Sequence, residues 1–167
     1  MSNRMLSCVL FISFLSGGVD SSAQQKPHAQ TPTNYIGDIS GMYTFRKDGE
    51  YVQITVNPQD KSATKEVSGF ISRYGDEASD KDLFLDHFFT EGKLKDTELT
   101  FKTRVVHGVS YEFTGVASRN PKKKANVEGY LEIRGMLTKK KTSSDKTTSE
   151  EEQLTMRLFP NLNGEAR

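Results

Sequence analysis

The chain has 167 residues, of which 34% are hydrophobic and 27% charged, and its formal net charge is +1. This balance of charge argues against a nucleic acid or an anionic membrane surface as partner, since both bind strongly basic proteins. The one cysteine, Cys8, lies in the N-terminal segment, so a chain without that segment has no thiolate for a disulfide, a metal site or a nucleophile.

Residues 1–23 have the three parts of a cleavable signal peptide. Arg4 stands near the start, an apolar run follows at residues 5–15, and small residues end at Ala23. The apolar run is shorter than the roughly 20 residues that a membrane-spanning helix needs. We therefore expect cleavage before Gln24, a secreted or periplasmic protein, and no membrane insertion after cleavage.

One folded domain is predicted at residues 36–160. Residues 24–35 before it are rich in Gln, Pro and Thr without apolar periodicity, which is typical of a flexible tether. Residues 161–167 are predicted to be a C-terminal tail.

The first predicted hairpin consists of residues 42–47 and residues 50–57. Asp48-Gly49 between them favours a two-residue type I′ turn, in which both central residues need a positive φ. That register places Phe45 opposite Val52 on the inner face, and the alternate residues of both strands on a polar outer face.

The second predicted hairpin consists of residues 83–95 and residues 98–107, joined at Asp96-Thr97. Strict alternation places His87 on the outer face. The ladder pairs residues across the two strands as follows: Leu94 with Leu99, Gly92 with Phe101, Thr90 with Thr103, and Phe88 with Val105.

The remaining strands follow from the same alternation. Residues 66–74 predict the third strand, residues 111–117 the sixth, after a three-residue loop at 107–109, and residues 127–137 the seventh. A low-complexity loop of Lys, Ser, Thr, Asp and Glu separates the seventh strand from the eighth at residues 154–158. The lysine runs at residues 122–124 and 139–141 are predicted to be solvated loop charges.

These elements predict an all-β protein, an eight-stranded antiparallel up-and-down β-barrel, since closure removes exposed sheet edges. Glycine recurs on the predicted inner face, which indicates tight coiling or close backbone approach, with ordinary bulges as the alternative. The outward residues are Lys, Arg, Glu, Gln and Thr, which excludes a membrane barrel.

Short Gly-x-aromatic-x-apolar strands occur at residues 40–45, 68–71 and 128–131. This pattern resembles the calycin barrels, the group that holds lipocalins and avidins, over most of residues 36–160. The chain has no tryptophan, so the lipocalin Gly-x-Trp signature and the biotin-stacking tryptophans of avidins are absent. No family binding residue can be carried over, and biotin is not expected.

The predicted barrel interior is suited to one small, largely apolar ligand. The candidate binding residues are Tyr43, Phe45, Phe88, Phe101, Thr103, Tyr111 and Phe113. The same residues could instead fill the core, and the protein would then act as an envelope or protein-interaction module. That alternative predicts an exposed apolar patch, with these candidate residues: Phe70, Tyr74, Phe89 and Tyr130.

A third interpretation is an enzyme on the same barrel. Extending the second hairpin places Asp86 opposite His107, and an Asp–His couple can carry acid–base chemistry. His107 also neighbours Gly108 at the next turn, which favours a loop residue, so no catalytic residue is assigned. Two histidines without Cys or spaced carboxylates define no metal site, no cofactor is expected, and the oligomeric state does not follow from the sequence.

Overall fold

The structure is a computed structural model that describes residues 36–160, except residues 77, 126, 144 and 145. The predicted signal peptide (1–23), tether (24–35) and C-terminal tail (161–167) lie outside the described residues.

Eight strands in sequence order form one antiparallel sheet that curls into a half-barrel. The strands are β1 (Gly41–Thr44), β2 (Tyr51–Val56), β3 (Thr64–Tyr74), β4 (Phe84–Lys95), β5 (Glu98–Thr103), β6 (Val109–Arg119), β7 (Leu131–Ser143) and β8 (Lys146–Arg157). The described part of the chain contains no helix that is long and apolar enough to cross a membrane.

The two edge strands of the sheet meet near one end. Tyr43 of β1 and Leu158, just after β8, form an antiparallel bridge, and the N–H of Phe159 donates to the carbonyl of Met42 at 2.9 Å. The all-β, up-and-down arrangement of eight strands is therefore confirmed as a curled half-barrel.

The β1–β2 hairpin has a longer loop than predicted. Tyr43 lies opposite Val52 rather than opposite Ile54, a shift of two residues that leaves the same side chains on the inner face. Gly49 has a φ of 85°, whereas Asp48 is not among the residues with positive φ. The predicted type I′ turn is wrong because only one of its two central residues takes the left-handed conformation.

The β4–β5 ladder contains a β-bulge at Thr90. Phe89 lies opposite Thr103 and Glu91 opposite Lys102, so three residues of β4 span two of β5. The predicted pairs on the turn side of the bulge are confirmed: Leu94 with Leu99 and Gly92 with Phe101. The predicted pairs beyond it are wrong: Thr90 with Thr103 and Phe88 with Val105.

The bulge exchanges the two faces of β4 on the N-terminal side of Thr90. His87, predicted outside, is fully buried, and Phe88, predicted inside, is 44% exposed. Phe89, predicted outside, packs against the core. Val105, predicted inside, is 61% exposed.

The β5–β6 turn has two residues instead of the predicted three. His107 and Gly108 both have positive φ, 49° and 74°, and Val106 bridges Val109 across them. This is the type I′ geometry that the sequence predicted at Asp48-Gly49.

The predicted low-complexity loop is a long hairpin formed by β7 and β8. Lys139, Lys140 and Lys141 lie within β7, and Lys139 stands opposite Glu150 of β8. Opposite charges across a ladder favour pairing, so this polar segment is strand and the prediction of loop lysines at 139–141 is wrong.

The hydrophobic core lies inside the curl, and glycines let the strands approach closely there. A Cβ at Gly135 would lie 2.2 Å from the Thr114 carbonyl oxygen, and one at Gly92 would lie 2.1 Å from that of Val67. Close backbone approach, which the sequence predicted for the recurring glycines, is confirmed at both positions.

Candidate functional site

Most of the candidate ligand-binding residues lie in the core. The buried ones are Tyr43, Phe45, Phe101, Thr103, Tyr111 and Phe113. Phe88 does not join them, because the bulge at Thr90 turns it to the outer face.

The core aromatic rings contact one another. Phe101 stacks on Phe113 with centroids 5.2 Å apart and on Phe89 at 4.3 Å, and Phe45 meets the edge of Tyr111 at 5.8 Å. Each ring therefore fills space that a ligand between these rings would occupy.

One end of the interior is polar. Arg73 lies on the inner face of β3 with Ile71, since alternate residues of a strand share a face. Lys139 lies directly opposite Tyr111 in the β6–β7 ladder. We call Arg73, Asp76, His87, Tyr111 and Lys139 the polar cluster.

Arg73 is the buried cation of this cluster, with 2% of its surface exposed. Its Nη1 donates to the Tyr74 carbonyl at 2.6 Å and lies 3.1 Å from Asp76 Oδ2. Its Nε donates to His87 Nε2 at 3.4 Å. A guanidinium at this depth needs such partners, because the loss of its hydration is costly.

Asp76 lies between two cations. The same oxygen that faces Arg73 accepts a hydrogen bond from Lys139 Nζ at 2.5 Å. Burial alone would raise the pKa of Asp76, but the hydrogen bond from Lys139 and the charge of Arg73 outweigh it and hold the pKa below its usual value. The carboxylate is therefore ionised over the physiological range.

His87 is neutral. Burial and the charge of Arg73 lower its pKa from 6.5 to about 4, against the opposite effect of the nearby backbone of Arg104 and Val109. Because Nε2 accepts from Arg73, the neutral ring carries its proton on Nδ1. Among the described residues that Nδ1 has no hydrogen-bond partner.

The hydroxyl of Tyr111 is the second buried group without a hydrogen-bond partner in the described part of the chain. Burial raises the pKa of Tyr111 to about 12, so its hydroxyl stays protonated and can donate. The hydroxyl of Tyr43, by contrast, donates to the Ile39 carbonyl at 2.7 Å. Within the polar cluster, the Tyr111 hydroxyl is thus a buried donor with no acceptor among the described residues.

The Asp86–His107 couple considered for catalysis does not form. His107 Nδ1 lies 2.9 Å from Asp80 Oδ2, and Asp86 is exposed on β4 opposite Ser72. The His107 side chain is 56% exposed and lies at a turn, as its neighbour Gly108 indicated, so the buried Asp86–His107 pair that the enzyme interpretation requires is not formed.

The outer face of β2, β3 and β4 carries an aromatic surface. We call this the outer aromatic surface, and it consists of Tyr51, Phe70, Tyr74, Phe84 and Phe88, together with Arg104, which follows β5. Phe70 contacts Tyr51 at 5.9 Å and Phe88 at 5.3 Å, and the Arg104 guanidinium lies 4.6 Å from the Phe88 ring centroid.

A second ring pair extends this surface. Tyr74 and Phe84 lie 4.3 Å apart, and Phe84 is 49% exposed. The sequence predicted Phe70 and Tyr74 for an exposed patch, whereas Phe89 and Tyr130 pack against the core. It missed Phe84, Phe88 and Arg104, since their outward position depends on the end of β4 and on the bulge.

No group of three or more His, Cys, Asp or Glu side chains among the described residues is placed to hold a metal ion. No protein-family model matches the chain, and no curated protein matches it either. A fold alone does not define a function, so the function has to follow from the residues of the site.

Proposed function

We propose that the protein is a secreted binding module that docks a protein partner on the outer aromatic surface. The observation that carries this proposal is Phe88, which is 44% exposed yet contacts both the Phe70 ring and the guanidinium of Arg104. Aromatic residues and arginine in contact with one another are the residue types that dominate binding energy at protein interfaces.

The stacking of the buried aromatic rings supports this proposal over a ligand inside the barrel. Phe101 is 2% exposed and stacks on rings to either side. A small apolar ligand in the interior remains the alternative, and it would have to separate these stacked rings. A partner on the outer face requires no such rearrangement.

Ring orientation and charge favour a protein over a nucleic acid or a sugar. The ring planes of Tyr51 and Phe70 are inclined by 70° and those of Phe70 and Phe88 by 38°, so they do not form one flat platform for bases or sugar rings. Asp86 and Arg104 at the same surface carry opposite charges, and the chain as a whole has a net charge of only +1.

Secretion and barrel closure belong to the same proposal. Residues 1–23 act as the cleaved signal peptide, and the mature domain closes as a calycin-type barrel along the β1–β8 seam. Support for closure comes from the Tyr43–Leu158 bridge and from the ion pair between Arg46 Nε and Glu152 Oε1 at 2.6 Å.

Site-specific photo-crosslinking in the native host tests the proposed surface. A photoreactive phenylalanine analogue is placed at Phe84 or Phe88, and, as a control, at Val116, which is 52% exposed on β6. We expect one partner protein to crosslink from positions 84 and 88 and not from 116.

Affinity for the purified partner then decides the outcome. Phe88→Ser should weaken binding at least about tenfold, as expected for an interface hot spot, and Val116→Ser should leave it unchanged. Crosslinks to a second copy of the chain, equal crosslinking from all three positions, or unchanged affinity of Phe88→Ser would overturn the proposal.

A further inference from the structure

We propose that the polar cluster is a binding site for a small carboxylate and that Asp76 occupies this site when no ligand is bound. The site is distinct from the outer aromatic surface and lies at the polar end of the interior. Its ligand is recognised by charge and hydrogen bonding rather than by apolar contact.

The two cations define the site. Arg73 Nη1 and Lys139 Nζ both approach one oxygen of Asp76, at 3.1 Å and 2.5 Å. The Arg73 side chain is 3% exposed and that of Lys139 is 18% exposed, so both charges face inward. A planar guanidinium beside an ammonium group is well suited to a carboxylate.

The second feature of the site is a buried hydrogen-bond donor, the hydroxyl of Tyr111, that has no acceptor in the described part of the chain. Tyr111 is fully buried, and its hydroxyl finds no acceptor among the described residues. The Arg73 guanidinium carbon lies 5.8 Å from the centroid of the Tyr111 ring, so this ring stands beside the ion pair. A buried donor without an acceptor is costly, and a bound carboxylate would supply the missing acceptor.

Asp76 is placed to exchange with an external acid. It lies after β3, next to Gly75, and its side chain is 31% exposed, so solvent reaches the carboxylate. Replacing it by a free carboxylate leaves one negative charge between Arg73 and Lys139 and returns the Asp76 charge to water. The exchange therefore leaves no buried cation unpaired.

Chemical rescue tests this site. Asp76→Ala removes the resident carboxylate, and Asp82→Ala, an exposed residue of the same β3–β4 loop, is the matched control. Thermal unfolding is followed with sodium acetate and with sodium chloride at equal ionic strength. We expect Asp76→Ala to lose stability in chloride and to regain it saturably in millimolar acetate, with no such difference for Asp82→Ala.

Tyr111 distinguishes a site from a simple ion pair. In the Asp76→Ala background, Tyr111→Phe should weaken acetate binding at least threefold, whereas charge neutralisation alone would leave it unchanged. For the wild-type protein, the NMR signal of Arg73 Nε–H should shift with acetate at an affinity at least tenfold weaker than in Asp76→Ala, because Asp76 competes.

The wild-type titration also covers the case in which Asp76→Ala does not fold. The inference would be overturned if the NMR signal of Arg73 Nε–H moved equally in acetate and in chloride. It would also be overturned if acetate stabilised Asp82→Ala as much as Asp76→Ala. Because Phe88 takes no part in this site, failure here leaves the outer aromatic surface untouched, and failure of the partner experiment leaves acetate binding unaffected.

Discussion

Phe89 lies opposite Thr103 in the β4–β5 ladder, one residue out of step with the pair formed by Gly92 and Phe101. This single offset reverses the direction of every side chain in β4 on the N-terminal side of Thr90. It brings His87 into the polar cluster and turns Phe88 onto the outer aromatic surface. Both proposed sites therefore depend on one bulge.

The first prediction compares two phenylalanines that plain alternation places on the same face. Phe101→Ala should lower the free energy of unfolding by about 3–5 kcal/mol, since it empties a fully packed position. Phe88→Ala should lower it by about 1 kcal/mol or less, because it loses one ring contact and the contact with Arg104 at an exposed site. Urea unfolding measures both, and equal losses would show that Phe88 is part of the core.

The second prediction compares two buried tyrosine hydroxyls. Tyr43→Phe should lower the free energy of unfolding by about 1 kcal/mol, because it removes the bond to the Ile39 carbonyl. Tyr111→Phe should leave it unchanged or raise it by up to about 1 kcal/mol, since its hydroxyl is buried without a partner. Equal destabilisation of the two variants, measured by urea unfolding without added carboxylates, would show that Tyr111 also has an acceptor.

Strand order and most inner faces could be predicted because alternation is unambiguous there. Residues 109–119 alternate without interruption, and the structure buries Tyr111 and Phe113 as expected. The bulge could not be predicted, because Phe88 and Phe89 are adjacent and equally apolar. Either ring could occupy the inner face, and no glycine or proline marks the extra residue.

The β7–β8 hairpin escaped prediction for a different reason. Its lysines and glutamates are typical of loops when taken singly, and their pairing becomes visible only once the register places Lys139 opposite Glu150. The sequence does indicate where the two cations of the polar cluster lie. Continuing the alternation past Ile71 and Leu137 points Arg73 and Lys139 inward, although buried charges of this kind are rare.

The third prediction concerns pH and His87. Its pKa is about 4 in the folded protein against 6.5 for the free group, so between these values the unfolded chain takes up a proton that the folded protein does not. Stability should therefore fall as the pH drops from 6.5 to 4, by on the order of 3 kcal/mol in total. His87→Gln should flatten this part of a urea-unfolding profile against pH.

His107→Gln replaces a histidine whose side chain is 56% exposed, and it is the comparison variant for that profile. Asp76 acts in a lower window, since its folded pKa lies below 3.8. The contribution of Asp76 to the free energy of unfolding is present above pH 3.8 and is lost as the pH falls through the pKa of the folded state. An unchanged slope between pH 6.5 and 4 in His87→Gln would mean that His87 is protonated in the folded protein.

The fourth prediction concerns the open edge of the sheet. β8 is an edge strand whose residues 146–151 are exposed, and charged side chains on such an edge hinder pairing with other chains. Replacing Glu150 and Glu151 by Thr removes two of these charges and adds residues that favour strands. The variant should form larger species in sedimentation velocity at concentrations where the wild-type protein does not. Replacing the same two residues by Asp keeps the charge and should preserve the wild-type profile, so aggregation of both variants would mean that edge charge is not what protects β8.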